Sequence, residues 1–148
     1  MAETHNSLPT FMSLHRSIQI NAAPEKIFAE YTNVADWKSW DPEVLSSSLD
    51  GIFRQGATGR LKPRNGLSAS IKISEINTNR SFTVESKLPL CIMKFTHELI
   101  QEGDTTKVTH GVEFYGLTAF LFSKIIGKQI YESFPVTLEG LKKKIESA

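Results

Sequence analysis

The sequence has one cysteine, no long apolar run and almost no excess charge. A single cysteine in 148 residues excludes a disulfide within the chain and a cysteine-rich zinc site. No apolar stretch approaches the roughly 18 residues that a membrane-spanning helix needs. Seventeen Lys and Arg side chains are balanced by sixteen Asp and Glu side chains, so the chain lacks the basic surface typical of nucleic-acid-binding proteins.

The first ten residues also lack the basic and then apolar order of a secretory signal. We therefore interpret residues 1–10 as a flexible tail and residues 11–148 as a single domain, and we expect a cytoplasmic location. The length is common for one domain, and a hydrophobic content of 40% supports a folded core. The only basic cluster, at 142–144, falls near the end of a predicted helix, where cations complement the helix dipole.

Hydrophobic periodicity divides the chain into one strand, two short helices, several strands and one long helix. Alternating apolar side chains over 11–20 predict the first strand. A proline and a following acid start a short helix over about 24–32. Trp37 and Trp40 then share one face of a second short helix. Glycine, proline and asparagine break the segment 44–114 into five or six short pieces, which indicates an antiparallel meander.

Alternation sorts the side chains of this meander into one apolar face and one polar face. Such a sheet is antiparallel, and its apolar face must be covered. The segment 118–146 carries apolar residues at three- and four-residue steps, although Pro135 predicts a kink or a split within it. The sequence therefore predicts an α+β fold, in which a curved antiparallel sheet of six to seven strands surrounds a long C-terminal helix.

Four segments resemble the polyketide cyclase/dehydrase-type branch of the START-like, or SRPBCC, superfamily. They cover residues 18–28, 34–42, 103–108 and 138–146, in the expected order along the chain. The resemblance implies the helix-grip fold of the birch pollen allergen, with a cavity for hydrophobic small molecules. Members of the superfamily range from lipid carriers and ligand sensors to aromatic cyclases, so the resemblance carries no catalytic residue onto this chain.

Two histidines provide the sharpest clue to chemistry. A two-residue turn at 103–104 pairs Glu102 with Thr105. Counting back along both strands then pairs His97 with His110. Directly opposed side chains have Cβ atoms about 4.5 to 5.5 Å apart, so the imidazoles could orient each other or hold a ligand's oxygen. The alternative is a pair of core histidines bonded to each other, to tyrosine or to backbone.

Large apolar side chains on the inner face are the candidate lining of the cavity, although they could equally fill a core. With the two histidines, the candidate ligand-binding residues are Trp40, Phe53, Ile71, Phe82, Phe95, His97, His110, Val112, Phe114, Phe120, Ile130 and Phe134. The run 117–122 is apolar on nearly every side, and we favour its burial over a role as an exposed contact surface.

Neither a metal site nor a cofactor is expected. Alternation places Glu85, Glu98 and Glu113 on the polar face, and two histidines alone make a poor zinc site. Cys91 is interpreted as a small hydrophobic side chain, because no basic neighbour can be placed beside it.

We expect a non-catalytic protein that binds a hydrophobic small molecule such as a lipid, a polyketide-like compound or an aromatic metabolite. The alternative is a cyclase or dehydratase acting on a polyketide-like carbonyl compound, with His97 and His110 as catalytic acid and base. A third possibility is a stress-related or partner-binding protein with a vestigial cavity. We expect no nucleic-acid partner, no integral membrane contact, and a monomer or weak homodimer.

Overall fold

The computed structural model describes residues 10–147 and contains seven strands, two α-helices and one 3₁₀ segment. The strands are β1 (Thr10–Ile20), β2 (Val44–Leu49), β3 (Thr58–Pro63), β4 (Ala69–Asn77), β5 (Ser81–Leu88), β6 (Cys91–Glu102) and β7 (Thr105–Tyr115). The helical elements are α1 (Pro24–Thr32), the 3₁₀ segment (Val34–Ser39) and α2 (Ala119–Glu146).

All seven strands form one antiparallel sheet with the order β1-β7-β6-β5-β4-β3-β2. The two edge strands, β1 and β2, are consecutive in the chain. The helix α1 and the 3₁₀ segment must therefore bridge the sheet from one edge to the other. The predicted sheet of six to seven strands with a long C-terminal helix is confirmed.

The helix α1 begins and ends at the predicted residues. Pro24 occupies the first turn, where its missing N–H costs no hydrogen bond, and Glu25 places a negative charge near the helix N-terminus. Ile27, Phe28 and Tyr31 follow at helical spacing and are buried. These buried side chains pack α1 against the apolar face of the sheet.

Two apolar clusters occupy the space between the sheet, α1 and α2. The first contains the buried residues Ile20, Ile27, Phe28, Tyr31, Val34, Trp37, Trp40, Ala57, Ile71, Ile73, Phe82, Val84, Leu99, Val108, Leu138, Leu141 and Ile145. The second contains Cys91, Met93, Val112, Phe114, Ala119 and Phe134. Both clusters therefore draw on the apolar sheet face and on α2.

Strict alternation fails at one place in β4. The pairing of β4 with β5 shifts between Ile73 and Glu75, which inserts one extra residue into the strand. As a result, Ile76 packs against the first cluster although it lies three positions after the buried Ile73.

The helix α2 runs as one element of 28 residues with Pro135 inside it, so of the predicted kink or split, the split does not occur. Proline removes the hydrogen bond to the carbonyl four residues earlier. The burial of Phe134 and Leu138 on both sides of Pro135 holds the chain against the sheet and offsets that loss.

The predicted burial of the run 117–122 is also wrong for half of its residues. Leu117 is 88% exposed, Leu121 is 53% exposed and Phe120 is 49% exposed, whereas Ala119 is buried. Because α2 begins at Ala119, successive side chains point in different directions around the helix and only one side faces the sheet.

Of the predicted tail, residues 1–9 lie outside the described residues, and Thr10 already belongs to β1. Within residues 10–147, neither α-helix combines the length and the apolar character that crossing a bilayer requires.

Two glycines of α2 allow a matched test of how closely the helix packs. A Cβ atom at Gly140 would lie 1.9 Å from the backbone oxygen of Trp40, whereas one at Gly127 would meet its nearest atom, Met12 Sδ, at 3.6 Å. Alanine is favoured over glycine by about 1 kcal/mol within a helix. We therefore expect Gly127→Ala to preserve or raise the free energy of unfolding.

The substitution Gly140→Ala, by contrast, is expected to lower the free energy of unfolding by about 2 kcal/mol or more, because backbone atoms must move. Urea unfolding followed by tryptophan fluorescence measures both variants. Equal stabilities of the two variants would contradict this close contact between α2 and Trp40.

Candidate functional site

The hairpin of β6 and β7 places the two histidines side by side. Its register pairs Glu102 with Thr105 and His97 with His110, as the sequence predicts. Gly103 adopts a φ of 63°, a left-handed conformation that glycine enters without steric cost. The two imidazole centroids are 4.7 Å apart and the rings meet edge to face at 72°.

Tyr31 of α1 completes a polar cluster with these histidines. Its Oη lies 2.7 Å from His110 Nε2, and its ring centroid is 5.5 Å from that of His97. Burial raises the pKa of Tyr31, and the nearby Asp41 carboxylate acts in the same direction, so the phenol keeps its proton. Sequence reasoning missed Tyr31 as a site residue, although its helical spacing from Ile27 marked it as inward-facing.

His97 is fixed by a hydrogen bond and by stacking. Its Nδ1 lies 3.2 Å from the carbonyl oxygen of Phe82, which can only accept, so Nδ1 is the donor. Its ring stacks on that of Phe82 with centroids 3.9 Å apart and planes 6° from parallel. Burial lowers the pKa of His97 to about 4. At neutral pH, His97 is therefore uncharged and its Nε2 carries a lone pair.

His110 lies deeper than His97, with 3% of its surface exposed. Burial holds the pKa of His110 well below 6.5, and the neighbouring His97 lowers it further. The cluster formed by Tyr31, His97 and His110, hereafter the Tyr–His–His cluster, is thus uncharged at neutral pH. It can donate or accept hydrogen bonds, but it presents no charge to a ligand.

The Tyr–His–His cluster lies between the two apolar clusters. Phe82 of the first cluster stacks on His97, and the ring of Phe134 in the second cluster is 6.4 Å from the ring of His110. The interior therefore places a small polar centre within a long apolar region.

Trp40 adds a hydrogen-bond donor near this centre. Its ring centroid is 5.9 Å from that of Tyr31, and its buried Nε1 has no hydrogen-bond partner among the described residues. Trp37, in contrast, donates its Nε1 hydrogen to the Tyr31 carbonyl oxygen at 3.0 Å. A buried polar group without a partner costs roughly 1–3 kcal/mol, so an acceptor placed beside Trp40 Nε1 would be stabilising.

Most of the predicted cavity-lining residues lie in the interior. Those that are buried are Trp40, Ile71, Phe82, His110, Val112, Phe114 and Phe134, and those that are partly buried are Phe53, Phe95, His97 and Ile130. Phe120 is the exception, because it lies at the surface with the Lys124 ammonium 4.0 Å from its ring centroid. Its assignment to the cavity lining is wrong.

Aromatic rings fill much of the interior beside the cluster. The ring of Phe82 lies 4.8 Å from that of Tyr31, 5.4 Å from that of Phe53 and 6.2 Å from that of Phe28. The concavities at the surface of the described residues include one of about 840 Å³ between the start of α1 and the ends of β4 and β6, and one beside the end of α2. Neither is lined by a predicted cavity residue.

The described residues contain no group of three or more His, Cys, Asp or Glu side chains that could hold a metal ion. Cys91 is buried, and burial raises the pKa of its thiol. Its sulfur is therefore not poised as a nucleophile.

The architecture defines the class of protein. A seven-stranded curved sheet around a long C-terminal helix, with short helical elements between the edge strands, is the helix-grip fold of the START-like superfamily. Residues 12–146 match the family described as polyketide cyclase / dehydrase and lipid transport, and the chain belongs to this family.

Solved structures share the fold at low sequence identity. A norcoclaurine synthase point mutant from Thalictrum flavum, in complex with a transition-state analogue, is 13% identical with a TM-score of 0.74, covering 95% of this chain and 98% of its own. Protein NE0264 from Nitrosomonas europaea is 13% identical with a TM-score of 0.73, over 92% and 95% of the two chains.

The structure of Ara h 8.0201 is 12% identical with a TM-score of 0.69, over 93% of this chain and 99% of its own. At these identities the likeness establishes the fold alone. No curated protein sequence matches the chain.

The lowered pKa values predict how stability depends on pH. Below pH 6.5 an unfolded histidine takes up a proton that buried His97 takes up only near pH 4. We expect the free energy of unfolding to fall from pH 6.5 to pH 4, with a slope of up to about 1.4 kcal/mol per pH unit for each suppressed protonation.

Urea unfolding at a series of pH values measures this slope. The double variant His97→Gln and His110→Gln should flatten it, while His15→Gln, at an exposed position of β1, controls for the loss of an imidazole. An unchanged slope in the double variant would show that the two buried histidines do not cause it.

Proposed function

We propose that this protein binds an apolar small molecule that carries an uncharged oxygen, such as a carbonyl or hydroxyl group, without converting it. The observation that supports the proposal is the uncharged Tyr–His–His cluster between two apolar clusters. Ligand sites are usually apolar with a few polar groups that fix orientation. The family description, which includes lipid transport, agrees with an apolar ligand.

The electrostatics of the cluster favour a neutral ligand group. His97 and His110 carry no positive charge at neutral pH, so they offer no counter-ion to a carboxylate or phosphate. An uncharged oxygen needs only a donor, and Trp40 Nε1 is a buried donor without a partner among the described residues. A carbonyl or hydroxyl oxygen beside Trp40 and Tyr31 would satisfy it.

The alternative of a cyclase or dehydratase is supported by the same adjacent imidazoles. A catalytic acid or base works best with a pKa near the operating pH. Burial lowers the pKa of His97 to about 4, so at neutral pH the imidazolium form that would act as an acid is scarce and the neutral ring is a weak base. Binding is therefore favoured over acid-base catalysis. Turnover that is lost in both His97→Gln and His110→Gln, with binding retained, would reverse this preference.

Ligand binding can be tested first by native mass spectrometry of the protein purified from its host, with the mass compared before and after denaturation. We expect a small apolar compound to be released. Its affinity for the delipidated protein can then be measured through the fluorescence of Trp37 and Trp40. Absence of any bound compound, together with no response to lipids or aromatic ketones and alcohols, would contradict the proposal.

Tyr31→Phe tests the role of the polar cluster. It removes the hydroxyl that meets His110 and is expected to weaken binding about fivefold, since a buried hydrogen bond contributes about 1 kcal/mol. Tyr115→Phe makes the same change at a hydroxyl that instead donates to Glu113, and it should leave affinity unchanged. If both variants are folded, as urea unfolding can show, and bind the ligand as tightly as the wild type, the Tyr–His–His cluster is not part of the binding site.

A further inference from the structure

Large apolar side chains are exposed where β7 joins α2 and at the adjacent hairpin turn. Leu117 is 88% exposed, Leu90 68%, Ile125 62%, Leu121 53% and Phe120 49%. We call these five residues the α2-start patch. Isolated exposed leucines are common on soluble proteins, but a cluster of this kind marks a contact surface.

Hydrogen bonds join the two segments that carry the patch. The backbone N–H of Thr118 donates to the Leu90 carbonyl oxygen at 3.2 Å, and the Thr118 hydroxyl donates to the Pro89 carbonyl oxygen at 2.5 Å. Leu121 and Ile125 are four residues apart in α2, which places them on one side of its first turns, and Leu117 lies in the turn just before the helix begins. The patch is therefore continuous from the hairpin turn onto the helix.

Leu90 adopts a left-handed backbone conformation that is unfavourable for leucine. Its φ of 57° lies in the left-handed region, where glycine or asparagine is usual and a bulky side chain is strained. The two-residue turn between β5 and β6 nevertheless carries a leucine there, and its side chain is mostly exposed. Within the described residues, burial of the Leu90 side chain therefore does not offset the backbone strain.

The first turns of α2, which carry most of the patch, contain lysines and no acidic residue. The segment 114–131 contains no Asp or Glu, but it contains Lys124 and Lys128. The Lys124 ammonium lies 4.0 Å from the Phe120 ring centroid, and Lys128 makes only an exposed ion pair with Glu132 at 3.8 Å. A chain with a net charge of only +1 thus presents a locally basic and apolar surface at this end.

We propose that the α2-start patch docks on a membrane surface containing anionic lipids. Leucine, isoleucine and phenylalanine side chains can enter the boundary between headgroups and acyl chains, while lysines beside them remain at the charged headgroups. A second copy of the chain fits less well, because a two-fold contact through the patch would bring the lysines of both copies together. The inference goes beyond ligand binding, and its test requires no ligand.

Flotation with lipid vesicles measures the docking. We expect the full chain to bind vesicles of phosphatidylcholine with phosphatidylserine, and to bind phosphatidylcholine vesicles at least tenfold more weakly. The double variant Leu117→Gln and Leu121→Gln should lose at least tenfold in binding to the anionic vesicles. The matched control is Ile52→Gln with Ile100→Gln, at positions that are 74% and 45% exposed towards the opposite end of the sheet; it should bind like the wild type.

The basic component is tested separately. Lys124→Gln with Lys128→Gln should weaken binding to anionic vesicles several-fold, as should raised salt, while Lys26→Gln with Lys38→Gln, at exposed positions of α1 and the 3₁₀ segment, should not. Wild-type chain that fails to float with anionic vesicles, or equal loss in the patch and control variants, would overturn the proposal. So would a dimer in analytical ultracentrifugation that the Leu117 and Leu121 substitutions abolish without affecting vesicle binding.

Discussion

The hydrogen bond between Tyr31 Oη and His110 Nε2 joins α1 to the centre of the sheet across the interior. Tyr31 has no exposed surface, so its hydroxyl must find a partner within the protein. The bond therefore ties the position of α1 to the register of the β6–β7 hairpin, which brings His97 beside His110. The contact that holds α1 against the sheet is therefore also a contact within the candidate site.

Burial determines what this site can do. Two histidines and a tyrosine in an apolar interior keep their uncharged forms at neutral pH, because ionisation would cost solvation that the surrounding rings cannot replace. The same desolvation strengthens each hydrogen bond made there. The arrangement therefore suits recognition of a neutral oxygen better than proton transfer. Trp40 Nε1 provides a donor for such an oxygen, whereas Trp37 Nε1 already donates to the Tyr31 carbonyl oxygen.

The helix α2 contributes both to the covered interior that holds the candidate site and to the exposed α2-start patch. Its second half covers the sheet, with Leu138 and Leu141 buried and Gly140 pressed against the Trp40 backbone. In its first turns, apolar side chains point in several directions around the helix, and only one side of the helix faces the sheet. Leu121 and Ile125 remain exposed as a consequence, next to lysines and without acids between 114 and 131.

The sequence by itself determined the local structure. Alternation predicts the strands, Pro24 and the acid that follows it predict α1, and the two-residue turn at Gly103 is enough to pair the histidines. These features depend on residues near one another in the chain, where periodicity and turn chemistry act directly.

Only the tertiary structure decided which distant residues meet and which apolar residues are covered. The partner of His110 is Tyr31, 79 positions away, and no local period identifies that contact. The bulge in β4 likewise interrupts an alternation that looks regular in sequence. The surface position of Phe120, the filling of the interior by aromatic rings and the unbroken helix through Pro135 all depend on how α1 and α2 lie over the sheet, because burial is a property of the assembled layers and not of any single segment.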